Sequence, residues 1–347
     1  MRDLPAIRAR SAVVIVSIVA VVLAGVVVGP VWSHGSASTP EHAQVESVTG
    51  NTTVAVAYTS ASGDSTSAVV DGVDPGLSNA ADGWAIVERS SLPPALQAVS
   101  QTPGSGVVGF GEWALVGANT NATVSIGQTT LTVVVPAGRD VDPSRKAGFL
   151  RQFLDPYVLD SETPERVVLV AAPDELAHEG AMYGDDRGYV TIEEFWDGDV
   201  GSVWIHEYIH ARQNFQLGPE MAWFREASAE YLSYRVLEEQ YDEVTESDIR
   251  ERLTAFRDHE GVVLGNRTTW RETSADYHVG ARLLASIDAE IRNDTDGKYT
   301  LFDVFRAMND QNGPITVDTL VRLIEQRTGT DQSWIKAAIR SGSMPET

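Results

Sequence analysis

The 347-residue chain contains no cysteine. This absence excludes disulfide bonds and thiolate metal sites, so any metal ion must be held by histidine and carboxylate side chains. Histidine itself is scarce, with seven residues in the whole chain. A candidate metal site can therefore be sought among few residues.

Positive charge is also scarce. Three lysines and 23 arginines make up the 26 basic residues, against 49 acidic ones, for a formal net charge of -23. This balance argues against a nucleic-acid-binding protein, which needs a basic surface for phosphates. The acidic, lysine-poor composition resembles that of haloarchaeal proteins, whose charged surfaces keep them soluble in high salt. The alternative is an acidic protein of a GC-rich bacterium.

The N-terminal segment has the pattern of a membrane anchor. Residues 1–10 include three arginines, and residues 11–32 are uncharged and mostly apolar. A helix of that length can span a hydrocarbon core of about 30 Å. The arginines predict a cytoplasmic N-terminus and an extracytoplasmic remainder. The alternative is a secreted protein whose signal peptide is cleaved near Gly35-Ser36-Ala37.

The remaining composition predicts an α+β protein in three parts. Residues 33–50 are rich in Ser, Thr, Gly and His and are typical of a tether. Residues 51–136 contain short β-favouring runs between turn signals, which predict a β-rich region with a spacer role. The last two runs of that region can alternatively belong to the next domain. Residues 137–347 form the third part, with strands predicted at 166–172 and 187–194 and mostly helix after Pro219.

His206, Glu207 and His210 form the pattern His-Glu-x-x-His. On a helix, the two histidines lie one turn apart on the same face, so both imidazoles can reach one metal ion. This is the pattern of zinc proteases, in which the glutamate takes a proton from the attacking water. The motif therefore predicts one catalytic Zn²⁺, with Glu207 as general base.

A catalytic zinc site needs a third protein ligand. Gln213 and Gln216 stand where the metzincin pattern has Gly and His, which excludes that solution. The segment 221–231, Met-Ala-Trp-Phe-Arg-Glu-Ala-Ser-Ala-Glu-Tyr, resembles the zinc-ligand helix of the gluzincin, or peptidase-MA, metalloproteases. The resemblance implies a zincin-like catalytic domain in 137–347, with Glu226 as third ligand and Glu230 as hydrogen-bond acceptor from a ligand histidine. Ala227 replaces the usual glycine.

Two further features resemble parts of the same family. Tyr277 begins a Tyr-x-x-Gly-x-x-Leu segment, in which the tyrosine of several gluzincins stabilises the oxyanion of the transition state. His278 is the alternative donor. The alternating strand 187–194 precedes the motif helix. In zincins an edge strand in that position binds extended substrate, and this role does not exclude that of an ordinary sheet strand.

Together these features predict a membrane-anchored, extracytoplasmic zinc peptidase that acts on a protein or peptide substrate. The predicted order is an N-terminal transmembrane helix, a β-rich region and a zincin-like domain with a mostly helical C-terminal lobe. The alternative is a catalytically silent zincin-fold protein that binds or adheres at the cell surface. The intact Glu207 favours the enzyme.

Overall fold

The computed structural model describes residues 43–100, 105–157, 164–176, 178–184, 186–191, 200–241, 244–255 and 261–343. The predicted cytoplasmic residues 1–10 and transmembrane helix 11–32 lie outside these ranges. Among the described residues, no helix is both long and apolar enough to cross a membrane.

The N-terminal part consists of two antiparallel sheets. The first has the strand order β1-β2-β3 and the second the order β4-β5-β7-β6. The strands are β1 (Gln44–Thr49), β2 (Thr53–Thr59), β3 (Ser65–Asp71), β4 (Ser78–Asn79), β5 (Trp84–Glu88), β6 (Val107–Phe110) and β7 (Trp113–Gly117), with one short helix, α1 (Pro94–Val99).

Two predictions for this part are corrected. The tether was predicted to run to residue 50, but β1 pairs with β2 because Val48 buries its side chain in the N-terminal core. One of the short β-favouring runs predicted within 51–136, residues 107–116, is not a single strand but the hairpin β6–β7. Its turn contains Gly111, whose φ of 58° suits glycine better than any residue with a Cβ atom.

A third sheet, of mixed strand direction, supports the candidate site. Its strands are β8 (Asn119–Ile126), β9 (Thr129–Pro136), β10 (Arg166–Ala171), β11 (Gly180–Tyr183) and β12 (Arg187–Val190), in the order β11-β12-β10-β9-β8. Strand β10 lies between two parallel neighbours, β9 and β12, and its continuous apolar sequence matches burial on both faces.

The strand pairing in this sheet places the start of the C-terminal part before residue 137, where the sequence predicted the domain boundary. Strands β8 and β9 pair with each other, and β9 also pairs with β10. Residues 119–136 therefore belong to the sheet of the C-terminal part, which was the alternative left open by the sequence. The runs could not be assigned locally because strand partners are distant in sequence.

The predicted edge strand is also corrected. Strand β12 lies between β11 and β10, so it is an interior strand of the described sheet. Residues 192–199 of the prediction lie outside the described residues. The edge is formed by β11, a strand that the sequence analysis did not predict.

The N-terminal sheets pack directly on the mixed sheet. Alternate residues of β10 face opposite ways: Leu169 joins the helical core, whereas Val168 and Val170 pack against side chains of the N-terminal part. The indole Nε1 of Trp84 also donates a hydrogen bond to the carbonyl of Ala137 at 2.8 Å. The β-rich region is thus packed on the C-terminal part by a shared apolar core.

The C-terminal part contains the helices α2 (Pro143–Leu154), α3 (Val203–Ala211), α4 (Phe224–Gln240), α5 (Glu246–Ala255), α6 (Ala275–Asp294), α7 (Leu301–Asn309), α8 (Val317–Thr328) and α9 (Trp334–Ser341). Helices α2 and α3 pack on the mixed sheet, and the other helices of the C-terminal part pack beyond them. These bounds confirm the predicted α+β class with a β-rich N-terminal region and a helical C-terminal part.

Helices α4 and α6 approach each other closely at one point. A Cβ atom added at Gly280 would lie 2.6 Å from Cβ of Ala227 and 3.1 Å from the ring of Trp223. Ala227 is the position where the gluzincin segment usually has glycine. The small residue required at this crossing is here supplied by Gly280 on the partner helix.

A buried carboxylate ties the helices together below the site. Asp288 of α6 accepts hydrogen bonds from the Tyr231 hydroxyl at 2.8 Å, from Nε of Arg292 at 2.9 Å and from the Leu301 amide at 2.6 Å. Its three donors belong to α4, α6 and α7. Such a fully bonded carboxylate fixes how these helices sit against one another.

Candidate metal centre

The His-Glu-x-x-His motif lies on α3, as predicted. The hydroxyl of Ser202 caps the helix by accepting from the Ile205 amide at 3.5 Å. Burial of the motif is nearly complete, with exposures of 8% for His206, 4% for Glu207 and 5% for His210. The helix therefore presents its polar triad to the protein interior.

Glu226, in the first turn of α4, meets the two histidines. Nε2 of His210 lies 3.0 Å from Nε2 of His206 and 3.0 Å from Oε2 of Glu226, and Nε2 of His206 lies 3.5 Å from the same oxygen. Within the described part of the chain, these three residues form the group that could hold a metal ion, with ligand atoms within 4.8 Å of one another. Two imidazoles and a carboxylate suit a catalytic Zn²⁺.

Each histidine has a hydrogen-bond acceptor at its other ring nitrogen. Nδ1 of His206 lies 3.2 Å from Oε2 of Glu230, and Nδ1 of His210 lies 3.0 Å from Oε1 of Gln213. Because both acceptors favour a proton on Nδ1, they leave the Nε2 lone pairs free for a metal ion. The structure thus places Glu230 beside His206, as the resemblance implied.

Gln213 was missed by the sequence analysis as a site residue. Its amide Nε2 donates to the carbonyl of Arg225 at 2.7 Å and to the hydroxyl of Ser228 at 2.9 Å. These bonds leave Oε1 directed at His210. In the sequence analysis Gln213 served only to exclude the metzincin pattern, which has glycine at that position. Its spacing of three residues from His210 could have indicated a contact, because side chains about one turn apart are neighbours.

Glu230 is itself held in place. Its second oxygen accepts a hydrogen bond from the hydroxyl of Tyr234, and that hydroxyl accepts one from Nε of Arg252 at 3.4 Å. Burial raises the pKa of Glu230, but hydrogen bonds with His206 and Tyr234 and the charges of His206 and Arg252 together outweigh burial and lower it. Glu230 is therefore ionised and oriented towards the ring nitrogen.

The metal-free site has the electrostatics of an ion-pair cluster. Burial lowers the pKa of His206, but hydrogen bonds with Glu226 and Glu230 outweigh it and raise the pKa to about 10. Burial raises the pKa of Glu226, but the charges and hydrogen bonds of the histidines bring it well below its ordinary value. A metal cation would take over the role of the His206 proton.

Glu207 points to the edge of the sheet. A Cβ atom added at Gly180 of β11 would lie 2.6 Å from Oε1 of Glu207, so the strand passes directly over the carboxylate. The other oxygen, Oε2, is buried and has no hydrogen-bond partner among the described residues. Burial is the main cause that raises the pKa of Glu207. These features suit a base that accepts a proton from a bound water.

Tyr277 lies against one of the two histidines. Its ring is nearly parallel to that of His206, at an interplanar angle of 9° and a centroid distance of 5.9 Å. Burial and the negative charge of Glu226 raise the pKa of Tyr277, so its hydroxyl remains a donor. His278, the alternative donor, has Nδ1 3.3 Å from the hydroxyl of Ser274 at the start of α6.

Asp276 is a second site residue that the sequence analysis missed. It is 8% exposed, and its Oδ1 has no hydrogen-bond partner among the described residues. Burial and the charge of Glu226 raise its pKa to about 7. The sequence shows Asp276 directly before Tyr277. Its burial and its nearness to Glu226, however, depend on the packing of α4 against α6.

The N-terminal part closes one end of the edge strand. A Cβ atom added at Gly111 would lie 2.4 Å from the ring of Tyr183, so the β6–β7 turn packs on the last residue of β11. Burial is the main cause that raises the pKa of Tyr183, followed by the charges of Glu112 and Glu207. The β-rich region therefore borders the candidate site.

The sequence assigns no ligand role to the four histidines that remain. His178 is exposed in the turn before β11. His34, His42 and His259 lie outside the described residues.

Comparison with solved structures shows a shared fold. An aminopeptidase N family protein from Idiomarina loihiensis matches with a TM-score of 0.55 and 14% identity, over 68% of this chain and 49% of its own. A two-domain M1 zinc metallopeptidase variant with bound L-tryptophan matches with a TM-score of 0.52 and 14% identity, over 67% and 54%. An M1 zinc metallopeptidase variant from Deinococcus radiodurans with a Tyr-Ser-Ala substrate matches with a TM-score of 0.50 and 14% identity, over 68% and 54%.

These matches define the class of fold. The chain has the α+β fold of M1 zinc metallopeptidase structures and spans about half of their length. No protein-family model matches the sequence. No curated protein matches it either.

Proposed function

We propose that this protein is a zinc-dependent peptidase of gluzincin type. The observation that carries the proposal is the convergence of His206, His210 and Glu226 within 4.8 Å of one another, beside the buried carboxylate of Glu207. The fold shared with M1 zinc metallopeptidases supports the same class of reaction.

The proposed metal ligands are Nε2 of His206, Nε2 of His210 and a carboxylate oxygen of Glu226. When bound, one Zn²⁺ supplies Lewis acidity, which lowers the pKa of a water and polarises a carbonyl. Glu230 and Gln213 hold the two imidazoles in the tautomer that leaves Nε2 free. Three protein ligands are typical of catalytic zinc, whereas structural sites have four.

Glu207 is the proposed general base. Its free, buried oxygen accepts the proton of the attacking water and then delivers it to the leaving amine. Tyr277 is the proposed oxyanion donor, since its hydroxyl stays protonated and its ring lies along His206.

The proposed peptide-binding element is the edge of β11 that pairs with no other described strand. The Thr191 amide donates to the Glu179 carbonyl at 2.8 Å, and hydrogen-bonded pairs alternate along an antiparallel ladder. The same alternation directs the amide and carbonyl of Gly180 and Met182 away from β12. An extended peptide can pair with these groups directly above Glu207. The substrate-strand role proposed for 187–194 is thereby reassigned to 180–183.

We also propose that the site is extracytoplasmic and tethered by a helix at 11–32. The uncharged apolar run and the preceding arginines support this location. Alkaline washing of host membranes tests the anchor: a washed-off protein would favour the secreted alternative. Cleavage of the protein by protease added to intact cells tests the orientation.

The decisive experiment compares the wild type with Glu207→Gln in a high-salt buffer. We expect both proteins to hold about one zinc ion, and only the wild type to cleave an unstructured protein such as casein. Glu290→Gln, which changes an exposed glutamate on α6, is the matched control and should retain activity.

Two outcomes would reject the proposal in different ways. Zinc binding without cleavage of any substrate by the wild type would favour the catalytically silent binding protein. Absence of zinc from the purified wild type, even after incubation with the metal, would contradict both functions.

A further inference from the structure

Arg225 is an arginine at the candidate site whose side chain pairs with none of the described residues. It lies in the first turn of α4, one residue before Glu226, and is half-buried. Its carbonyl is held by Gln213 at 2.7 Å, which fixes the main chain beside His210. Its guanidinium forms no ion pair or hydrogen bond with the described residues, so a charge taken partly out of water has no direct partner among them.

The surroundings do not explain a cation at this position. Other arginines of the helical lobe pair with carboxylates, as Arg235 does with Glu246 at 2.7 Å and Arg292 with Asp288 at 2.9 Å. Arg225 instead sits in the first turn of a helix, where the macrodipole disfavours positive charge. A residue that costs stability locally, beside a reactive centre, is a candidate for binding.

The charge of Arg225 reaches the catalytic groups. It is one of the causes that lower the pKa of Glu207, against the larger effect of burial that raises it. Glu207 lies on α3 under β11, the edge strand of the described sheet, where the peptide is proposed to bind. The guanidinium is therefore within electrostatic range of a bound substrate.

We propose that Arg225 binds a carboxylate group of the substrate next to the scissile bond. The planar guanidinium matches a carboxylate with two parallel hydrogen bonds. A chain of net charge -23 otherwise repels anionic peptides, so a local cation is needed to accept one. The inference rests on the proposed peptidase function and adds a substrate class: peptides with a carboxylate near the cleaved bond.

That carboxylate has two possible sources, a peptide C-terminus or an acidic side chain. Two pairs of short peptides separate these sources. The first pair has one neutral sequence with either a free C-terminal carboxylate or a C-terminal amide, and tests the peptide C-terminus. The second pair is amidated and has either Glu or Gln beside the scissile bond, and tests the acidic side chain. The expected wild-type preference for one carboxylate-bearing peptide over its neutral partner is about 10- to 100-fold in kcat/KM, the range for a charge-assisted hydrogen bond.

Arg225→Gln should abolish that preference, mainly through a higher KM, and leave kcat/KM for the neutral peptides nearly unchanged. Arg151→Gln is the matched control, because Arg151 is an exposed arginine on α2. Arg225→Lys keeps the charge without the planar fork and should show an intermediate preference. Zinc content and thermal unfolding establish that each variant is folded.

Three results would overturn the inference. In the first, the wild type cleaves both members of each pair with equal kcat/KM. In the second, Arg225→Gln lowers kcat/KM equally for all four peptides. In the third, Arg225→Gln keeps the wild-type preference for the carboxylate-bearing peptide. Failure of the proposed function looks different, because the wild type would then cleave none of the peptides. Calorimetry with Glu207→Gln would still measure carboxylate preference in binding, and equal or absent binding of all four would reject the role of Arg225.

Discussion

Oε1 of Gln213 lies 3.0 Å from Nδ1 of His210, and its amide nitrogen is bonded to Arg225 and Ser228 of the neighbouring helix region. One side chain therefore links the motif helix to the first turn of α4, which carries Glu226. The two hydrogen bonds donated by the Gln213 amide nitrogen fix the direction of its Oε1 atom. The orientation of the His210 ring depends on this oxygen.

The first prediction tests this link. Gln213→Leu removes the acceptor for the Nδ1 proton and should weaken zinc binding by about 10- to 100-fold. Competition with a chelator measures the affinity. Gln216→Leu is the control, because Gln216 is exposed and only its backbone carbonyl is bonded. Equal affinities of the Gln213 variant and the wild type would show that His210 is oriented without it.

The second prediction concerns Tyr277. Tyr277→Phe removes the hydroxyl but keeps the ring that lies against His206, so zinc should be retained. We expect a fall in kcat of about 10²- to 10³-fold, the size found when an oxyanion donor is lost. A fall in zinc content of the same variant would instead assign Tyr277 to the structure of the site.

The third prediction concerns the contact between β11 and the base. Gly180→Ala places a methyl group 2.6 Å from Oε1 of Glu207, so the carboxylate or the strand must move. Peptidase activity should fall by at least about tenfold while zinc remains bound, because displacement of a catalytic group by about 1 Å is costly. Gly148→Ala on α2, where nothing lies within 4 Å, should leave activity unchanged.

The fourth prediction follows from the raised pKa of His206, about 10 in the metal-free site. The folded protein holds this proton more tightly than the unfolded chain, whose histidine pKa is about 6.5. The stabilisation is therefore complete below pH 6.5 and is lost as pH rises towards 10. Urea unfolding in chelator should show this decline, and Glu230→Gln should flatten it. In zinc-loaded protein the decline should vanish, because the ligand imidazole carries no Nε2 proton.

The fifth prediction uses the crossing of α4 and α6. Gly280→Ala brings a methyl group within 2.6 Å of Cβ of Ala227 and should lower the free energy of unfolding by about 1–3 kcal/mol. Adding Ala227→Gly should recover part of that loss, which a double-mutant cycle measures as coupling. Additive effects of the two substitutions would mean that the helices separate freely at this point.

The sequence by itself determined the features that depend on local spacing. His206 and His210 share a helix face because 3.6 residues make one turn, and the apolar periodicity located the helices from α4 to α9. Continuous burial of β10 was also readable, since its apolar run lacks polar alternation.

Only the tertiary structure decided which distant residues meet. No local pattern pairs β9 with β10 or makes β11 the edge, because strand partners are chosen by packing over long separations. The same holds for Gln213 at His210, for Asp276 near Glu226 and for Gly180 over Glu207. The position of a residue in the sequence determines the face of the helix on which its side chain lies. The residue that this side chain contacts is determined by how the helix packs against its neighbours.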